Sequence, residues 1–309
     1  MTVIQMKTTN DDIEMENDLL MYSLNTSNWT AYKRDDKATQ QVKQANGIAD
    51  TTDAGNFNKL LLPDFKELKA INSYIGNVRN NWFYLVTVAW GDQRGVRVGK
   101  SEFHEQRLRE FRDHLEKLEP LVEAAVAVYP QQVAKAEFDA EGLGQLFNPQ
   151  EYPSVEEFRH KFGMRLPTVP LNNPNDIRLR TKIPAHIRAD MERNMRAEMA
   201  KAMQQTTKDV LLAMKQPLVH MATTLKGYHD GTIKKMYDSL LENVLKMAES
   251  ARTCNLTNDP GINALADEIE AFANGVTTKD LKDSAGLQVV TGKKAQELAN
   301  RIAMFMPNA

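Results

Sequence analysis

Cysteine is nearly absent: Cys254 is the single one among 309 residues. One thiol excludes an internal disulfide and any cysteine-rich zinc site, and such usage points to a reducing compartment. Long apolar runs are missing as well. The longest, Trp82 to Trp90, falls far short of the about 20 residues that a membrane-spanning helix needs, so no membrane partner is expected. Net charge is small, −2 from 39 Lys and Arg against 41 Asp and Glu, which argues against a uniformly basic nucleic-acid coat. Aromatic residues make up only 7%. What is present, 42% hydrophobic and 26% charged residues, excludes a wholly disordered chain and suffices for one large core or two modest ones. Asp11, Asp12, Glu14, Glu16 and Asp18 face only Lys7, unlike a signal or transit peptide. Residues 1–20 are expected to form a flexible acidic segment, and the protein to be cytoplasmic.

Periodicity divides the remainder. Residues 21–182 read as an α+β region and 183–309 as a helical one. The fold class is therefore α+β, predominantly helical, with a small β-sheet in the N-terminal half and a helical C-terminal half. Met21 to Lys33, rich in Thr, Tyr and Trp, has strand composition. From Pro63, the residues Phe65, Leu68, Ile71, Ile75, Val78, Trp82 and Leu85 recur at three- and four-residue steps, which predicts a helix. Its end, WFYLVTVAW, also has strand composition. Ser101 is placed to cap a helix with Phe103, Leu108, Phe111, Leu115 and Leu118 inward. Six of the 12 prolines fall between Phe147 and Pro184, an irregular seam. Beyond it, Met191, Met195, Met199 and Met203 repeat every four residues, with Ile187 extending the row backwards. The stripe continues through Val210, Leu211, Met214, Leu218 and Met221, with Pro217 as an expected kink and Gly227 and Gly231 as its end. Further helices are expected from Ile233 to about Asn255, at 262–273 and at 292–305.

Enzymatic motifs fail one by one. Gly95-Val-Arg-Val-Gly99-Lys100-Ser101 resembles a phosphate loop, yet the G-x-x-x-x-G-K-[ST] nest needs four intervening residues and has three here. His104-Glu105 begins H-E-x-x-H, but Leu108 occupies the second ligand position. Asp64 and Glu67 suit a helix first turn better than a metal-holding pair of strands. Cys254 lacks an evident base and reads as buried filler. Neither catalysis, a metal nor a cofactor is expected.

Clustered cations among aromatics remain. Arg94, Arg97, Lys100, Arg107, Arg109 and Arg112 outnumber three glutamates and follow Trp82, Phe83, Tyr84 and Trp90. Arg178, Arg180, Lys182, Arg188, Arg193, Arg196 and Lys201 form a second basic block, and Trp29 with Tyr32, Lys33 and Arg34 a smaller third. Acidic residues sit apart, six of them within 137–157 without a Lys or Arg. Cations that track a backbone beside rings that stack bases are what single-stranded nucleic acid requires. Arg94, Arg97, Lys100, Arg178, Arg180, Lys182 and Arg188, with Lys33 and Arg34, are thus candidate phosphate contacts. Trp29, Tyr32 and Trp90 are candidate stacking platforms. The methionine stripe has two readings, helix core or an adaptable surface for self-association.

Several passages resemble a family of phage proteins formerly of unknown function. They are Leu24 to Lys33 (LNTSNWTAYK), the loop from Trp90-Gly91-Asp92 to Val98, Gly142 to Phe147 (GLGQLF), Glu151-Tyr152-Pro153-Ser154, Lys161-Phe162, and Pro170 with Asp176 to Leu179. Within that group the chain looks most like the single-stranded DNA-binding RNA polymerase cofactors of podophages that carry a virion RNA polymerase. The resemblance implies binding of melted DNA in the host cytoplasm and contact with a phage RNA polymerase, in support of transcription or replication. The expectation is a non-enzymatic, largely sequence-independent single-stranded DNA-binding protein. The alternative is a helical self-associating scaffold or assembly protein that forms a homo-oligomer without nucleic acid.

Overall fold

A computed structural model describes residues 19–49, 51–91, 95–138, 143–171 and 183–306. Strands β1 (Leu19–Tyr22), β2 (Asn25–Ser27) and β3 (Tyr32–Arg34) come first, then helix α1 (Asp36–Ala45) and β4 (Asn58–Leu60). Helix α2 (Lys66–Val78) passes through a π turn (Arg79–Phe83) into the short α3 (Tyr84–Val86) and β5 (Val88–Ala89). Strand β6 (Arg97–Lys100) leads through a 3-10 turn into α4 (His104–Phe138). Next come α5 (Val155–Arg159), β7 (Gly163–Arg165) and β8 (Thr168–Pro170). The chain closes with α6 (Ala185–His229), α7 (Ser239–Cys254), α8 (Pro260–Asn274), α9 (Thr278–Asp283) and α10 (Ala285–Phe305). The fold is α+β and mostly helical, with its antiparallel sheet in the N-terminal half.

The compact units do not follow a split at residue 182. One comprises residues up to Ser23, Asn81–Arg107 and Pro167 onward; the other is Leu24–Asn80 with Leu108–Leu166. The reason is strand pairing. In the first unit the sheet runs β5-β6-β1-β8, every neighbour antiparallel, so segments from 19, 88, 97 and 168 are stitched together. Its buried Leu19, Val88, Trp90 and Val98 share one core with Met203, Met214, Leu218, Met221 and Leu225 of α6 and Leu298 and Ile302 of α10. Leu19 and Leu20, expected in the flexible N-terminus, belong to β1. Residues 1–18 lie outside the described residues.

In the second unit β2 pairs with β7 and β3 with β4. Its core is aromatic: Phe65, Tyr129 and Phe158 stack, the last two 4.1 Å apart and inclined by only 9°. Tyr129 donates its hydroxyl to Pro153 O at 2.8 Å. Burial pushes that phenol well above its ordinary value of 10.

Several local expectations resolve differently. Met21–Lys33 is three strands in three separate sheets, broken at Ala31, which is buried with φ of 58°. The stretch 63–90 is both things its composition suggests, a helix to Val86 and then a strand. Ser101, expected as the cap, lies inside a 3-10 turn whose N-cap residue is Lys100. Helix α6 continues through Pro217 and Gly227 to His229. An interior proline costs about 3 kcal/mol, less than the burial of its neighbours Met214, Leu218 and Met221 returns at about 1.5–3 kcal/mol each.

Candidate functional site

The loop that resembled a phosphate cradle is sheet. Gly99 lies in β6 opposite Leu20, and a side chain there would collide with Arg107: a Cβ would stand 2.7 Å from the Arg107 guanidinium carbon. Glycine is needed at 99 for that contact and not for phosphate. Arg107 is itself 2% exposed. It donates Nε to Val86 O at 2.9 Å and Nη1 to Lys100 O at 2.6 Å and to the Tyr22 hydroxyl at 3.2 Å.

The basic–aromatic residues of this region are drawn inward. Trp90 is buried at 7% and offers no ring face to a base, which corrects its reading as a stacking platform. Lys100 is likewise buried, with Nζ donating to Asn258 Oδ1 and pairing with Glu102 at 3.3 Å. Arg97 is half-buried. Its Nε donates to Thr87 Oγ1 at 2.9 Å, its Nη2 to Tyr84 O at 3.2 Å and to Thr87 O, and its guanidinium lies 4.6 Å over the Tyr84 ring. Burial pulls its pKa below the ordinary arginine value. Trp29 is half-buried, its ring edge-on to Phe158 at 5.6 Å and to Tyr129 at 6.4 Å. Arg97 and Lys100 exchange water for protein acceptors, which makes their burial tolerable. Arg94, Arg178, Arg180 and Lys182 lie outside the described residues.

One group is displayed together. Tyr32, Lys33 and Arg34 form β3 and all are exposed, Tyr32 by 63%. Arg34 pairs with Asp36 at 2.6 Å. Behind the strand, Lys59 of β4 stands opposite Lys33 and is buried. Its ammonium is held by Asp35 at 2.9 Å, Glu151 at 2.8 Å and Leu146 O at 2.7 Å. Like charges face each other across this ladder, and two carboxylates make that pairing tolerable.

The second display is the start of α6. Every buried residue of this 45-residue helix lies at or after Ala202. The partner helix α10 ends where Phe305 meets Thr207 and Leu211. From Ala185 to Lys201, about 25 Å of helix, no side chain enters the core. A four-residue step overshoots each turn by about 40°, so the methionine row rotates away from the core face. Met203 is buried and Met199 packs on the core edge, whereas Met191 is 38% and Ile187 43% exposed. Arg188 sits in the first turn, half-buried. The row expected chiefly as core is thus core at one end and surface at the other.

Among the described residues no group of three or more His, Cys, Asp or Glu could hold a metal ion. No described helix is long and apolar enough to cross a membrane. Comparison with protein families, with curated proteins and with solved structures finds no match. The likeness to phage proteins rests on the quoted residues alone.

Proposed function

We propose that this is a non-enzymatic assembly protein that associates with a second copy of itself through the first turns of α6. The observation that supports it is the exposed row of Ile187 and Met191 on a helix segment that has left its core. Apolar rows displayed among charges mark interaction surfaces. The rim carries both signs, with Arg188, Arg193, Arg196 and Lys201 against Asp190, Glu192 and Glu198, so two copies meet without strong repulsion. The row is short, and the cost of association offsets most of what it buries. Ile187→Lys with Met191→Lys should leave a monomer whose melting temperature matches the parent, because neither side chain packs in the core. Light scattering that shows the parent's oligomer intact in this variant would remove the reading.

A second reading, favoured by the exposed strand β3, is single-stranded DNA binding. Tyr32 would stack a base, and Lys33 and Arg34 would meet phosphates; the polymerase-cofactor role would rest on this contact. Stacking is worth about 1–3 kcal/mol per base, so Tyr32→Ala should weaken oligonucleotide binding roughly five- to hundredfold. Lys33→Ala should lower the salt slope by about 0.7. Binding that ignores salt, or ignores both substitutions, rejects this reading.

A further inference from the structure

Within the first unit, α3, the β5–β6 edge, α6 and α7 enclose an open recess of about 170 Å³. It has a distinct polar pattern. Arg97 lines one wall and Asp209 another; no salt bridge or hydrogen bond joins them, although the Asp209 carboxylate acts on the Arg97 charge. Arg97 spends Nε and Nη2 on Thr87 and Tyr84, which leaves Nη1 with two N–H groups and no protein acceptor. Asp209 accepts from Gln205 Nε2 through Oδ1 at 2.8 Å, and Oδ2 is not engaged. Val88, Val210 and Met247 provide apolar lining, and Cys254 also lines the recess.

From this juxtaposition we propose that the recess binds a small zwitterion, an α-amino acid with an aliphatic side chain. Its carboxylate would take the spare Arg97 Nη1, its ammonium the free Asp209 oxygen, and its side chain the apolar wall. Size agrees: a cavity of about 150 Å³ holds a benzene ring, so six to nine non-hydrogen atoms are about the limit. A simple anion would meet Asp209 unfavourably, and a simple cation would meet Arg97, so an opposite-charge pair on one ligand answers both walls. This site is independent of the α6 surface.

The chain's single thiol is the reporter. Cys254 is buried, and burial pushes its pKa above 9. Reaction with a small neutral reagent such as methyl methanethiosulfonate is therefore slow, and a ligand in the recess that Cys254 lines would slow it further. The rate is followed in the full-length protein while L-leucine, isovalerate or isoamylamine is added up to 100 mM, with calorimetry on the same titrations. At a leucine concentration ten times its Kd, mass action lowers the rate roughly tenfold. Isovalerate and isoamylamine, each lacking one charge, should bind at least about tenfold more weakly. Asp209→Asn, a substitution at the rim, should abolish the preference for leucine over isovalerate while the fold is kept. Equal effects of all three compounds, or no heat and no protection by leucine, would overturn the proposal.

Discussion

Lys59→Ala should destabilise the second unit by about 3–5 kcal/mol, the cost of removing one partner from a buried charge cluster. The lysine side chain is 4% exposed and its two carboxylate partners 12% and 15%. Without the ammonium, Asp35 and Glu151 face each other with no cation between them, and Leu146 O loses its donor. Charge, more than lost packing, carries the effect. Adding Asp35→Asn and Glu151→Gln to Lys59→Ala should therefore recover stability, a non-additivity expected of residues in one network. Chemical denaturation of the four variants measures it. If the carboxylate substitutions only add further loss, the charge explanation is wrong.

The same cluster sets a pH dependence. A hydrogen bond from the Ala38 N–H, together with Lys59, holds the Asp35 carboxyl below its ordinary 3.8. An acid whose pKa is depressed on folding stabilises fully above its unfolded value, and that stability is lost as pH falls through the folded one. For Lys59, burial alone would lower the pKa, but Glu151 and Asp35 outweigh it and raise it above 10.5. Its contribution is complete below 10.5 and is lost as pH rises from there through the folded value. Stability from this cluster is then flat through neutrality, with acid loss confined to pH below about 4.

Arg107→Ala should cost the first unit a similar amount, again about 3–5 kcal/mol. Three acceptors, Val86 O, Lys100 O and the Tyr22 hydroxyl, would lose a buried donor at about 1–3 kcal/mol each. The guanidinium also fills space between the Tyr22 ring at 5.2 Å and the Phe103 ring at 5.7 Å. Arg107→Met should cost less than Arg107→Ala, because it restores volume and removes a buried charge whose Nη2 has no partner. Gly99→Ala should cost about 1–3 kcal/mol by forcing a methyl against that guanidinium. Thermal melts of the three variants test the ordering. A neutral Gly99→Ala would show that the guanidinium does not press on the strand.

How far the sequence discloses these features depends on their range. Local rules sufficed for the α+β class, for helix α8 and for the ends of α7 at Cys254 and α10 at Phe305, where periodicity acts within a few residues; the starts were misplaced, α7 opening at Ser239 and α10 at Ala285, through Gly286 and Gly292. Pairing of strands distant in sequence was not legible. Nothing near Leu19 announces that it will lie against Lys100. The same applies to burial of Trp90 and Lys100, whose covering residues lie more than 100 positions away in α6 and beside Asn258. Basic–aromatic clustering records composition, and composition cannot tell a cation that caps a carbonyl from one that waits for phosphate. In β3 Tyr32, Lys33 and Arg34 are exposed, because a short edge strand has few atoms to cover it. The methionine row held the missed signal openly: its constant four-residue step requires drift off any fixed helix face. The recess sets Arg97 of β6 and Asp209 of α6 on its walls, more than 100 positions apart in sequence, which no spacing rule anticipates.

Sedimentation velocity of the unmodified protein across about 1–200 µM is the most direct test of self-association through α6. A weighted-average mass that rises with concentration, and falls to one chain on Ile187→Lys with Met191→Lys, is the expected result. A single 35.0 kDa species throughout that range would contradict it.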